Sequence, residues 1–267
     1  IFKKNTQLFQ YSKITRTFGK IFFKSTFYFM KRSTFLHQAA LATLATSLPL
    51  SKLFSNTNSN SPFGIQLWTI KEVMANDPMG TLKLLADYGY KQIESFENFI
   101  GKNSGMFWGM KPTEFKKTLD NLGMKLVSSH CDYTKDFEKK VADAASIGME
   151  YLICAWKGPQ KSIEDFKKFA TEFNKAGEIC KKAGLRFAYH NHDYSFKMLD
   201  GLIPQDVMIQ NTDPNLVDFE MDMYWVVYAG INPLDYFNKY PNRFKLAHIK
   251  DLKKFNSPQP PPPPLPD

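Results

Sequence analysis

From residue 64 onward, short apolar runs alternate with longer stretches whose apolar positions recur at helical spacing, a unit that repeats about every 30 residues. Gly64–Thr69 reads as the first strand. A helix follows, with Asp77 as its N-cap, Pro78 at its first position, and Leu82, Leu85 and Ala86 on its apolar face. The second strand is read over Lys91–Ser95. A helix from Pro112 leads to strand Lys125–His130, helix Asp136–Ile147 to strand Tyr151–Trp156, and helix Ser162–Ala183 to strand Leu185–His190. A longer connection precedes strand Leu216–Met221, and helix Pro233–Tyr240 leads to strand Phe244–Ile249. Gly89, Gly123, Gly148 and Gly184 each stand just before an entering strand, where a helix C-cap glycine belongs. Strands alternating with helices in this way predict a parallel α/β sheet, as an open doubly wound sheet or a closed barrel. No glycine-rich phosphate loop follows the first strand, which argues against a dinucleotide-binding sheet and favours the barrel.

The polar residues fall at the ends of these strands. Tyr189-His190-Asn191-His192-Asp193 closes the fifth, Asp218-Phe219-Glu220-Met221-Asp222 the sixth and Ala247-His248-Ile249-Lys250-Asp251 the seventh. Side chains alternate across a strand, so His190 shares a face with His192, Glu220 with Asp218 and Asp222, and His248 with Lys250. Glu94, His130 and Trp156 hold matching terminal positions on the second, third and fourth strands. If these faces all point inward, one end of the barrel gathers imidazoles, carboxylates and an ammonium, and such a cluster needs a compensating ion, partner or substrate. In (β/α) barrels that end is where sites are built. Histidine and carboxylate are also the usual ligands of divalent metals.

Charge changes the picture in one respect. The net charge of +9 suggests a nucleic-acid partner, yet residues 1–60 hold nine basic residues and no acid, leaving 26 basic against 26 acidic residues in the rest. The folded part is therefore balanced and exerts no net pull on a phosphate backbone. No apolar stretch is long enough for a stable membrane span. Cys131, Cys154 and Cys180 lack ligand spacing and read as buried free thiols.

The two ends read differently from the repeat. Residues 1–29 are aromatic and basic without core periodicity, and are expected to be upstream, non-native sequence. Residues 30–55 have signal-peptide architecture: Met30, the basic pair Lys31-Arg32, the apolar run Ala39–Leu50 and a polar spacer. Arg32-Ser33-Thr34-Phe35-Leu36 resembles a twin-arginine export signal with Ser33 in place of the second arginine, which implies a periplasmic location after cleavage. Residues 255–267, with the run Pro260–Pro264, favour an extended polyproline conformation outside the fold. The barrel, over residues 62–254, is thus expected to be truncated after its seventh strand.

Tyr189-His190-Asn191-His192-Asp193, Asp222-Met223-Tyr224-Trp225 and His248-Ile249-Lys250-Asp251 resemble the sugar phosphate isomerase/epimerase family, the xylose isomerase-like (β/α)8 TIM barrels, and the leader fits its exported subgroup. The resemblance implies a divalent metal ion (Mn, Mg, Zn or Co). Asp222 and His248 match family ligands, His190 stands where a glutamate is usual, as in the inosose-dehydratase-like branch, and Glu220 joins the candidate set. The last ligand, a glutamate on the eighth strand, has no counterpart here. The implied chemistry is proton transfer beside a carbonyl through an enediolate, giving an isomerase or epimerase of a sugar or cyclitol. The alternatives are a keto-sugar dehydratase or lyase on the same site, and a non-catalytic carbohydrate-binding barrel. An endonuclease of the same superfamily would need a basic surface that the charge balance does not provide. His192, Lys250 and Glu94 are the candidates for moving the proton, since an imidazole titrates near neutrality. Trp68, His130, Trp156 and Lys157 suit a small polyhydroxylated substrate, through aromatic faces and charged donors. Barrels of this kind often form homo-oligomers, and nothing in the sequence marks an interface.

Overall fold

The computed structural model describes residues 63–99 and 101–251. The expected upstream segment, the export leader and the proline-rich tail lie outside the described residues. Seven strands form one sheet in sequence order, every adjacent pair parallel: β1 Gly64–Gln66, β2 Gln92–Phe96, β3 Lys125–His130, β4 Tyr151–Cys154, β5 Arg186–His190, β6 Val217–Asp222 and β7 Phe244–His248. Neighbouring strands lie about 4.8 Å apart, so in a flat sheet β2 and β7 would be separated by more than 20 Å. Instead His248 on β7 approaches Glu94 on β2 to 2.7 Å. The sheet is therefore rolled into a half-barrel, and the face it encloses carries the polar residues. Among the described residues β1 and β7 are not paired with each other.

Eight helices accompany the described strands: α1 Lys71–Asn76, α2 Pro78–Asp87, α3 Pro112–Asn121, α4 Phe137–Ser146, α5 Ile163–Lys182, α6 Pro204–Gln210, α7 Met223–Tyr228 and α8 Pro233–Lys239. The signals read in the sequence are the ones in use. The Asp77 carboxylate accepts from the Gly80 N–H at 2.9 Å and Pro78 opens α2. Gly89, Gly123, Gly148 and Gly184 follow the ends of α2, α3, α4 and α5 at φ +65° to +88°, where a side chain would strain the backbone. The first strand is shorter than expected because the Gln66 side chain accepts from the Trp68 N–H and turns Leu67–Ile70 into a 3-10 helix. The long connection before β6 contains α6, and α7 follows β6 directly; both are short and were not anticipated.

The outward faces of the strands pack on the helices. Phe187 and Tyr189 of β5 meet Phe173 of α5 at ring separations of 5.6 and 5.2 Å. Cys131, Cys154 and Cys180 are free and buried, as expected. α5 also approaches the entry to β6 so closely that a Cβ built on Gly177 would lie 2.6 Å from the Leu216 carbonyl oxygen. The obstacle is backbone, so it cannot rotate away. Gly177→Ala is expected to lower stability by about 1–3 kcal/mol, a shift that thermal or urea unfolding would show. No helix among the described residues is long and apolar enough to cross a membrane.

Candidate active site

Strand alternation turns Asp218, Glu220 and Asp222 of β6 toward the barrel interior while Val217, Phe219 and Met221 face the helices, and all six are buried. Successive inward residues differ in depth by about 7 Å along a strand. Asp218 consequently belongs to the far end, where it accepts from the Arg186 Nε at the start of β5. Glu220 occupies the middle and Asp222 the C-terminal rim.

The middle layer is a closed network. Glu94 Oε1 lies 2.7 Å from His248 Nε2 and 3.1 Å from His130 Nε2. Glu220 Oε2 lies 2.8 Å from His130 Nε2, and its Oε1 3.3 Å from His248 Nε2. Ser128 donates to the other Glu94 oxygen at 2.6 Å. Burial opposes ionisation of both histidines, but the facing carboxylates prevail: His130 is raised to about 9 and His248 well above its ordinary value. Burial likewise opposes the Glu94 carboxylate, yet His130 and His248 hold its pKa well down. Glu220 moves up, through burial and the charge of Glu94.

The rim layer is built on Asp222. Its carboxylate receives the Lys250 ammonium, lies 3.2 Å from His190 Nε2 and 3.6 Å from His248 Nδ1, and caps α7 by accepting from the Tyr224 N–H at 3.1 Å. Burial opposes its charge, but hydrogen bonds from His190 and His248 and the charge of Lys250 leave it strongly acidic. His190 is pushed down to about 3 and His192 to about 4, in each case chiefly by burial, so both rings are neutral at pH 7. His192 sits among aromatic rings: Trp156 is edge-on at 4.5 Å, Tyr194 is parallel at 5.9 Å and Trp225 is tilted at 5.4 Å. Its Nδ1 is buried with no hydrogen-bond partner among the described residues.

His190, Glu220, Asp222, His248, Glu94, His130, His192 and Lys250 are thus gathered at one end of the barrel. Their grouping differs from the sequence reading. His190, Asp222 and His248 form one possible ligand set, whereas Glu220 joins Glu94, His130 and His248 in another; within each set the donor atoms lie within 4.8 Å of one another. Nitrogen and carboxylate oxygen at this spacing suit a divalent ion such as Zn, Mn or Co. Half-exposed Trp156 stands beside His192. Trp68 is exposed in the turn after β1, against Phe96.

Lys157 departs from the expectation of a substrate contact. Its ammonium donates to the Tyr133 hydroxyl at 2.7 Å, lies 3.3 Å from Glu172 and sits 4.0 Å over the Phe169 ring, in the layer between the sheet and α5. Strand alternation could not reveal this because Lys157 lies beyond the end of β4. Lys157→Met is accordingly expected to lower the melting temperature by a few degrees and to change KM less than twofold. A KM rise of tenfold with unchanged melting would restore the substrate role.

Asn191, Ser128, Tyr194 and Trp225 were given no role from sequence. The Asn191 side chain exchanges two hydrogen bonds with the Asp222 backbone, at 3.0 and 3.2 Å, and so ties the rim of β5 to that of β6. Its place between two histidines in the strand-end motif was the available signal.

Rolled parallel sheet, helical cover and a strand-end cluster define this as an α/β protein with the TIM-barrel type of fold. Its structural neighbours include proteins described as sugar phosphate isomerase/epimerases, and its sequence relatives include inosose dehydratases. The chain is similar to a sugar phosphate isomerase/epimerase from Parabacteroides distasonis, with a TM-score of 0.63 and 29% identity over 76% of this chain and 80% of that one. A D-psicose 3-epimerase shares the fold alone, with a TM-score of 0.51 and 11% identity over 69% of this chain and 71% of the other. In sequence it is 34% identical over 131 residues to an inosose dehydratase of Clostridium beijerinckii, covering 47% of this chain and 43% of the relative. The chain thus spans less than half of that curated relative's length. No family model matches.

Proposed function

We propose that this chain is a metal-dependent enzyme that moves a proton at the carbon beside a carbonyl of a sugar or cyclitol, as an isomerase or epimerase. The observation that carries this reading is the convergence at Asp222 of two neutral or shared imidazoles and an ammonium, next to a ring-lined position at His192. His190, Asp222 and His248 would hold the cation. When bound it supplies Lewis-acid stabilisation of the negative oxygen left by proton removal.

The chain's own residues provide the rest. His192 is neutral at pH 7 and its ring stands between Trp156 and Trp225 at the rim, the position assigned to the group that takes the substrate proton. Lys250, fixed by Asp222 and still partly exposed, is placed to donate a proton or to bind the carbonyl oxygen. Trp156 and Trp225 offer apolar faces to the carbon skeleton and exclude water around His192. Glu94, bound to His130, His248 and Ser128, sits below the rim and supports the imidazoles; in this reading it does not touch the substrate.

A second reading, a dehydratase, is favoured by the inosose dehydratases among the relatives. It uses the same proton abstraction followed by loss of a β-hydroxyl, with Lys250 as the acid for the leaving group. The test is product analysis after incubating the metal-loaded full chain with ketoses and keto-cyclitols. A product of unchanged mass supports isomerisation or epimerisation, and one lighter by a water supports elimination. Unaltered substrate across both classes contradicts the proposal.

A further inference from the structure

The two donor groups at the barrel end meet at one residue, His248, and differ in the cation that faces their carboxylates. In the rim group, Asp222 already receives the Lys250 ammonium. The lower group holds two buried carboxylates, Glu94 and Glu220, whose polar partners are His130, His248 and the Ser128 hydroxyl. No lysine or arginine ammonium or guanidinium is among these contacts. Its four donors come from β2, β3, β6 and β7, and their ligand atoms all lie within 4.8 Å of one another.

The orientations are those of a binding site. Ser128 engages Glu94 Oε2 and leaves Oε1 toward the cluster, 2.7 Å from His248 and 3.1 Å from His130. Glu220 turns one oxygen to each imidazole. His248 divides its ring between the two groups: Nε2 faces Glu94 and Glu220, whereas Nδ1 faces Asp222 at 3.6 Å.

We infer that Glu94, His130 and Glu220, with Nε2 of His248, form a second divalent-cation site one layer beneath the rim. The inference rests on the metal-dependent reading above and extends it. Two imidazole nitrogens and two carboxylate oxygens make a donor set for zinc, cobalt or manganese rather than calcium, which takes oxygen ligands in larger number. The Ser128 hydroxyl is a positioning group that fixes the carboxylate orientation. A cation here takes the place of the protons that His130 and His248 hold between the two carboxylates, and leaves His248 as the shared element through which occupancy of one site affects the other.

The test is ion counting, independent of activity. The full chain is stripped with a chelator, equilibrated with Zn2+ alone and analysed for bound zinc. Two ions per chain are expected, falling to one in Glu94→Gln and to one in Asp222→Ala. Ser128→Ala, which keeps every ligand, is expected to weaken one class of site roughly 10- to 100-fold; it serves where Glu94→Gln fails to fold. One ion in the unaltered chain, kept in Glu94→Gln and lost in Asp222→Ala, overturns the second site and leaves the rim reading standing. One ion lost in Glu94→Gln but kept in Asp222→Ala upholds the lower site and overturns the rim ligand set. No bound ion overturns both.

Discussion

Asp222→Ala is expected to reduce turnover by roughly 10²- to 10³-fold, the scale on which removal of one preorganised electrostatic group acts. Asp222 gathers the rim of the site. It holds the Lys250 ammonium, approaches His190 and His248, and caps α7, which carries Trp225. Its loss should leave an ammonium and an imidazole without their anion and release bound metal together with activity. The substitution also removes a helix cap worth about 1 kcal/mol, so activity and folding must be separated. Asp222→Asn achieves this. Asparagine can still accept from the Tyr224 N–H, so it should recover much of the melting temperature while leaving activity and zinc retention low. Full activity in the asparagine variant would show that the charge of Asp222 is not used.

Stripped of metal, the chain should lose stability on both sides of neutrality. His130 has its folded pKa raised to about 9 from an ordinary 6.5, with burial opposing and Glu94 and Glu220 prevailing. Stability from a raised histidine is fully present below pH 6.5 and is lost as pH rises through 9, a contribution on the order of 3 kcal/mol. His190 behaves oppositely. Burial lowers its folded pKa to about 3, so below pH 6.5 the unfolded chain takes up a proton that the folded chain refuses, and stability falls as pH drops toward 3. Asp222 adds to the acid limb, because its charged form is held by His190, His248 and Lys250 once burial is overcome. Melting temperatures across pH 4 to 9.5 in chelator would reveal the two limbs. Glu94→Gln removes a main source of the His130 shift and should flatten the alkaline limb. An unchanged alkaline limb in that variant would mean that His130 is not the titrating group.

Much of the architecture was legible because each βα unit carries its own punctuation. Asp77-Pro78 started α2 where expected, the four glycines ended their helices, and the span of β3, Lys125–His130, agreed at both ends. α6 and α7, of seven and six residues, show too few turns for periodicity to register; α8, equally short, was legible from its place before the seventh strand. Alternation also identified which strand-end residues face inward. It could not say how deep each sits, and depth decides that Glu220 keeps company with Glu94 and His130 rather than with Asp222. The place of Lys157 was not legible for a related reason: beyond the last strand residue alternation no longer applies, and an aromatic layer on α5 draws the side chain outward. Asn191, by contrast, lay inside the motif and was passed over because its role is to hold backbone rather than to meet a ligand.

Proton movement beside a carbonyl at the Asp222 rim is the proposed chemistry. Its most direct test is to incubate the zinc- or manganese-loaded full chain with ketoses and keto-cyclitols in heavy water and to follow deuterium entry by NMR. Deuterium should enter at the carbon next to the carbonyl, faster than in chelated protein, and this acceleration should vanish in Asp222→Asn. A folded, metal-bearing chain that leaves every such position undeuterated would show that it moves no proton there.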